Sequence, residues 1–302
     1  MHRALAAWLI ARPWRAAFAS ALAGALSPSF LLPFVLVPGA VAVLVLLRFN
    51  GVAALGIAAC GIVSATFVLL SVWEPNVWLF VLAGLAVCLF LGPIGLAAVL
   101  KRTRSMTFAV QVAVLAAAGA VVLGHLLPQD PGALWMPAVE PVVNSMVEAG
   151  LYPDDERDVL MQRWAQTMWG MLAACSLVLT LGALFLGSWW QSLLTAPGAF
   201  GTEYRRLRLG VVLGTSLTIV FALLFWSHSS LLASLASVGF VALVFQGLAA
   251  AHRSKARGSL KQGSLAAIYV LLILPLLNWI AIYVLAIWGF IDNWRRPKAQ
   301  SL

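Results

Sequence analysis

Residues 51–72 read GVAALGIAACGIVSATFVLLSV, a run of 22 residues without a charged side chain. A helix needs about 20 consecutive apolar residues to cross the hydrocarbon core of a bilayer. It can cross because it satisfies its backbone hydrogen bonds within the segment. The run therefore predicts a membrane-spanning helix.

Apolar runs of similar character fill most of the chain. The 302 residues are 63% hydrophobic and 10% charged, whereas soluble domains carry about 25% charged residues. We expect an all-α fold, a polytopic transmembrane helix bundle with about eight to ten membrane segments, with residues 1–302 forming a single integral membrane domain. Further runs lie at 16–47, where two helices turn near Pro28, and at 77–100, 107–127, 209–226, 231–251 and 265–291.

The charges are segregated along the chain. Seven of the ten acidic residues lie in one connector at 128–163, which holds only two of the nineteen Lys and Arg residues. Basic residues stay at the cytoplasmic ends of membrane helices, so this connector should face outward and the N-terminus should be cytoplasmic. We expect a multi-pass protein of the bacterial inner (cytoplasmic) membrane. The net charge of +9 then reflects topology and the lipid bilayer as partner, and we expect no nucleic acid.

The acidic connector has its own predicted structure. Val139, Val143 and Val147 recur at near-helical spacing, which predicts a short amphipathic helix on the outer surface. Asp154, Asp155 and Glu156 are expected to form the cap and first turn of the next helix. Residues 2–12 predict another short surface helix, on the cytoplasmic side.

The helix after the connector is expected to pass through Trp164 and Trp169 to Leu186. Its end is predicted at Gly187-Ser188-Trp189-Trp190, which leaves residues 191–208 as a cytoplasmic connector.

The last apolar run, 265–291, allows two interpretations. Pro275 and Asn278 near its middle favour a broken or re-entrant pair of helices, which would return Arg295, Arg296 and Lys298 to the cytoplasm. A single tilted helix is the alternative, and it would put that basic tail outside.

Few residues predict chemistry. The four histidines and three cysteines are widely spaced, and no metal-ligand pattern, nucleophile elbow, phosphate-binding glycine loop or paired carboxylates occur within the spans. We therefore expect no enzyme activity, no metal and no cofactor.

Uncharged amides within the spans are the candidate ligand contacts: Gln111, Gln246 and Asn278. Buried polar groups tend to face a bundle interior or a cavity. The alternative is that these amides form hydrogen bonds between helices. No charged residue lies deep in a span, which argues against an ion-coupled pump.

The stretch 189–208 is the candidate partner-binding surface, because it combines aromatic, amide and basic side chains that could contact a protein or a headgroup. Simple anchoring at the interface is the alternative. The residues concerned are Trp189, Trp190, Gln191, Phe200, Tyr204, Arg205, Arg206 and Arg208. A second predicted contact is a ridge of small residues at Ala17, Ala21 and Ala25, with Ser20 and Gly24 on a neighbouring row.

These motifs resemble a family of uncharacterised bacterial inner-membrane proteins, the YybS-like proteins. The resemblance rests on Trp189-Trp190-Gln191, Pro197-Gly198, Phe200, the run 205–208, and on Leu265, Tyr269 to Leu272, Gly289, Asp292 and Trp294. Such proteins look related to the substrate-binding subunits of energy-coupling-factor transporters. The resemblance implies a similar helical bundle, whereas fold analogy alone does not name a substrate.

Two functions are therefore expected as alternatives. The first is a small-molecule-binding or transport-related subunit without its own energy coupling. The second is a membrane scaffold that recruits a cytoplasmic or membrane partner through residues 189–208.

Overall fold

The computed structural model describes residues 2–29, 32–72, 77–275 and 277–295. Throughout these ranges the regular structure is helical and there is no strand. The all-α prediction is confirmed. The predicted outer turn at 74–76 and the tail residues Arg296 and Lys298 lie outside the described residues.

The helices follow the apolar runs closely. The α-helices in chain order are α1 (His2–Ala11), α2 (Pro13–Leu26), α3 (Leu32–Arg48), α4 (Gly51–Val72), α5 (Val77–Thr103), α6 (Met106–Leu126), α7 (Met136–Glu148), α8 (Arg157–Thr195), α9 (Ala199–Arg205), α10 (Gly210–Trp226), α11 (Ser230–Ala256), α12 (Gln262–Ile273) and α13 (Asn278–Trp294). The predicted surface helices correspond to α1 and α7, and the predicted turn near Pro28 is a 3₁₀ turn at Ser27–Ser29.

Two compact units divide the chain. The first comprises Met1–Ala113 and Ser176–Leu207, and the second comprises Val114–Cys175 and Arg208–Leu302. The boundary passes through α6 and α8. The assignment of the whole chain to one membrane domain stays a prediction.

In the first unit, small residues bring α2 against α4. Ser20 is fully buried and its hydroxyl donates to the Ile57 carbonyl at 2.8 Å. A Cβ atom added to Gly24 would collide with the Gly61 carbonyl oxygen. The row of Ser20 and Gly24 therefore packs against α4 of the same chain. Only small side chains allow two helices to approach this closely.

The predicted end of α8 at residues 187–190 is wrong. The helix continues to Thr195, so Trp189, Trp190 and Gln191 are helical. Gly187 contacts α3, where an added Cβ would lie 2.5 Å from the Ala40 carbonyl oxygen. Glycine is present here for close helix packing, which in sequence is indistinguishable from a helix-ending glycine.

In the second unit, α11 and α13 cross at Gly247 and Gly289, with backbone against backbone. The two helices run in the same direction, since Phe240 contacts Tyr283 towards one end and Arg253 pairs with Asp292 towards the other. The last apolar run is two helices with a break around Pro275, as the broken-pair interpretation predicts.

Five stretches within the described ranges are long and apolar enough to cross a membrane, or six if α9 and α10 count together as one broken span. Large apolar side chains remain on the outside of these helices, including Phe67 at 71% exposed and Phe225 at 85%. A lipid environment accommodates such a surface, whereas water does not. The five stretches are Gly51–Val72, Leu85–Thr103, Met106–Leu126, Asp154–Thr195 and Ser230–Ala256.

The contact between α11 and α13 gives a direct test. We expect Gly247→Ala to lower the free energy of unfolding by about 2–3 kcal/mol, because the new methyl group meets the Leu285 backbone. Gly119→Ala is the control in the same unit, since nothing lies within 4 Å of the added atom. Unfolding in a denaturing detergent series measures both, and equal stabilities would contradict the close packing.

Candidate functional site

The three predicted ligand-contact amides do not form one site. Gln111 lies on α6 in the first unit, whereas Gln246 and Asn278 lie in the second. Gln246 contacts Asn293 near the end of α13, but Asn278 is the first residue of that helix. Asn278 and Asn293 are fifteen residue steps apart, which corresponds to about 22 Å of helix. Gln246 and Asn278 therefore cannot share a small pocket.

Gln246 is fully buried and both ends of its amide are engaged. Its oxygen accepts the Leu209 backbone N–H at 2.9 Å, and its NH₂ group donates to the Asn293 side-chain oxygen at 3.3 Å. Asn293 in turn bonds both backbone groups of Gly210, each at 3.1 Å. These contacts provide hydrogen-bond partners for backbone groups at the start of α10. They agree with the alternative stated for Gln246, in which its amide forms hydrogen bonds between helices.

A buried ion pair lies beside these amides. Arg253 donates to Asp292, and both side chains are only 12% exposed. Together Gln246, Arg253, Asp292 and Asn293 form a cluster that we call the polar junction. It joins the start of α10, the last turns of α11 and the end of α13. Because each buried charge has a partner, the junction avoids the large cost of an isolated charge.

Two aromatic residues of the stretch 189–208 are buried, whereas residues 195–199 and Arg206 are exposed. Trp190 and Tyr204 are each 6% exposed. Phe185, Phe200 and Tyr204 form an aromatic cluster, with ring centroids 5.3 Å apart for Phe185 and Tyr204 and 5.8 Å apart for Phe200 and Tyr204. Aromatic pairs at such distances stabilise local structure. The cluster holds α9 against α8.

The other residues of this stretch have local partners. Trp189 contacts the His2 ring, and Gln191 donates to Thr195. Arg205 donates to Thr202, and Arg206 pairs with Glu203. Arg208 belongs to the second unit, where it donates to the Arg295 carbonyl. A role in partner binding stays a prediction for these residues.

A cavity of about 570 Å³ in the second unit lies between the first turns of α8 and the turn that joins α10 to α11. We call it the α8–α11 cavity. Its polar lining comprises one guanidinium, one imidazole, two amides and four hydroxyl groups. The polar residues are Gln162, Arg163, Gln166, Thr167, Ser227, His228, Ser229 and Ser230, beside Trp164.

The start of α11 also faces this cavity. Ser229 caps the helix by accepting the Leu232 N–H at 3.5 Å, and Ser230 is the first helical residue. The first N–H groups of a helix carry a partial positive charge and lack partners within the helix. Together with Arg163 they favour a polar molecule that carries an anionic group.

Sequence reasoning missed this cavity, although one signal was present. The acidic connector contains two cations, and they differ in their contacts. Arg157 donates to Asn144 at 2.7 Å and lies 3.9 Å from Glu140. In the described part of the chain the Arg163 guanidinium makes no hydrogen bond or ion pair, and it lines the α8–α11 cavity.

The first unit contains a second cavity, of about 430 Å³, between the ends of α3 and α5, the last turns of α8 and α9. We call it the α5–α8 cavity. Lys101, Arg104, Ser188 and Ser192 are among its polar lining residues.

Metal ligands do not converge anywhere in the described ranges, since no group of three or more His, Cys, Asp or Glu residues is placed to hold an ion. No protein-family model, curated protein or solved structure matches the chain. The resemblance to YybS-like proteins stays a prediction.

The polar junction predicts a specific double-mutant result. We expect Asp292→Leu to cost about 3 kcal/mol of stability, because it leaves the Arg253 charge buried and unpaired. Replacing both partners, as Arg253→Met with Asp292→Leu, should cost less than that single change. Detergent unfolding measures the stability of the two single variants and of the double variant. Additive effects of the two substitutions would contradict the pairing.

Proposed function

We propose that the chain is a multi-pass protein of the bacterial inner membrane that binds a small molecule at its outer side and has no energy coupling of its own. The observation that carries this proposal is the α8–α11 cavity, with its convergent polar lining. Ligand sites are typically concave and contain a few placed polar groups.

The topology in this proposal has eight to ten membrane segments. Three further helices, α3, α10 and α13, are counted as spans in addition to the five long apolar helices, and each has 17 residues. A helix of that length extends about 26 Å, close to the thickness of the hydrocarbon core. These make eight, and the shorter α2 and α12 make ten.

The charges orient the cavity in the proposed topology. The basic residues at the end of α5, and those at the end of α11, belong on the cytoplasmic side, with the N-terminus. The acidic connector then faces outward. The α8–α11 cavity is built from the end of that connector, from the residues that follow it and from the α10–α11 turn, so in the proposed topology it opens to the outside.

The lining indicates the class of molecule. Arg163 and the start of α11 supply positive charge, the hydroxyl and amide groups supply hydrogen bonds, and Trp164 supplies an apolar face. We infer a small polar metabolite with an anionic group. The proposal includes no energy coupling of its own, because the charged residues of the long spans lie near helix ends. An ion-coupled pump uses ionisable groups deep within its spans.

The scaffold alternative has less support. A recruiting surface needs accessible anchor residues, and the aromatic residues Trp190 and Tyr204 are buried within the first unit.

A thermal-shift screen tests the proposal. Purified full-length protein is heated with a panel of carboxylates, phosphorylated metabolites, vitamins and nucleosides. We expect at least one compound to raise the melting temperature, with the shift lost in Arg163→Gln. Arg157→Gln is the matched control, because it removes an outer cation that contacts Asn144 and Glu140 instead.

Two results would contradict the proposal. The first is a well-folded protein that no compound in the panel stabilises. The second is a stabilising compound whose shift depends equally on Arg157 and Arg163, since general surface charge would then explain it.

A further inference from the structure

The α5–α8 cavity has a polar lining that the proposed function does not use. Lys101 and Arg104 lie at its rim, and Ser188, Gln191 and Ser192 come from the last turns of α8. The remaining lining is mostly apolar, as at Leu47 and Phe200. The lining shares no residue with that of the α8–α11 cavity.

Ser188 provides the strongest indication of a ligand. Its side chain is buried, with 5% exposure of the residue, and its hydroxyl has no hydrogen-bond partner among the described residues. A buried hydroxyl without a partner destabilises a protein. A ligand oxygen in the cavity would supply that partner. Ser192, one turn further along α8, donates instead to the Trp189 carbonyl at 2.8 Å.

The cations at the rim have different roles. Lys101 donates to the carbonyls of Leu46 and Phe49, at 2.8 and 2.9 Å, and so caps the end of α3. Arg104 makes no ion pair or hydrogen bond through its guanidinium within the described ranges. Lys101 therefore contributes fixed charge, and Arg104 is available for direct contact.

The acidic residue at the cavity has a cationic partner of its own. Glu203 lines the cavity, and Arg206 lies 3.3 Å from its carboxylate. The lining thus keeps a net positive charge, from Lys101 and Arg104. Guanidinium, ammonium and hydroxyl donors together match a phosphate group, whose oxygens accept several hydrogen bonds.

We propose that the α5–α8 cavity binds the phosphate of an anionic lipid headgroup. The cavity lies at the end of α5, a candidate membrane span, and the ends of spans lie at headgroup depth. Its basic residues place it on the cytoplasmic side, where anionic lipids attract clustered cations. A soluble phosphate ester has the same chemistry, so the test separates the two sources.

Lipid titration of the full chain provides that test. The protein is placed in nanodiscs of phosphatidylcholine with increasing phosphatidylglycerol, and native mass spectrometry measures the retained phosphatidylglycerol. We expect Arg104→Gln to weaken retention about fivefold to tenfold, through loss of a charged hydrogen bond. Arg102→Gln is the matched control, because Arg102 is exposed at the same helix end and does not line the cavity. It should stay within about twofold of the wild type.

Two further variants exclude simple unfolding. Arg104 has a φ of +54°, a left-handed conformation that glycine adopts more easily. Arg104→Gly should therefore lose lipid binding without melting at a lower temperature. Ser188→Ala should weaken retention about threefold, and it too should melt no lower, because it removes a hydroxyl that lacks a partner.

Inorganic phosphate and glycerol 3-phosphate form the second arm of the experiment. Arg104-dependent retention of phosphatidylglycerol supports the lipid headgroup as ligand. Arg104-dependent binding of the soluble compounds alone would identify a free phosphate ester and overturn the lipid assignment. Equal effects of Arg102→Gln and Arg104→Gln in both arms would overturn the phosphate site altogether.

Discussion

In the proposed membrane topology, the cost of placing a charge in hydrocarbon constrains this chain more than any other interaction. An unpaired charge at the centre of a bilayer costs several kcal/mol or more, so the apolar runs exclude charge and the connectors collect it. Arg253 and Asp292 are the buried charges of the polar junction, and they form an ion pair towards the ends of their helices. The same constraint explains why the polar junction and the polar linings of the α8–α11 and α5–α8 cavities all lie towards the ends of helices.

Much of the fold could be predicted because each long apolar helix carries its own signal in the local sequence. The run at 51–72 and the break at Pro275 are local properties of the chain, and both match the helices observed. The end of α8 could not be predicted in this way. Gly187 resembles a helix terminator, but its role depends on Ala40, which is distant in sequence. A local pattern cannot separate these two uses of glycine.

The candidate sites were harder to predict than the fold. Gln246 was correctly singled out as a buried polar residue, yet its role depends on Leu209 and Asn293, which only the folded chain brings to it. Hydroxyl groups such as Ser188 and Ser230 carry no signal, since serine is common in any helix or loop. Arg163 did carry one, as one of two cations in an acidic connector, but its contacts were needed to distinguish it from Arg157.

Accessibility of the α8–α11 cavity is the most direct test of the account. In a chain whose three cysteines are replaced, His228→Cys should react in intact cells with a membrane-impermeant maleimide, because the α10–α11 turn is assigned to the outer side. Arg102→Cys should react only after the membrane is permeabilised. The opposite pattern, with His228→Cys protected until permeabilisation, would contradict the proposed orientation and an outward-facing binding site.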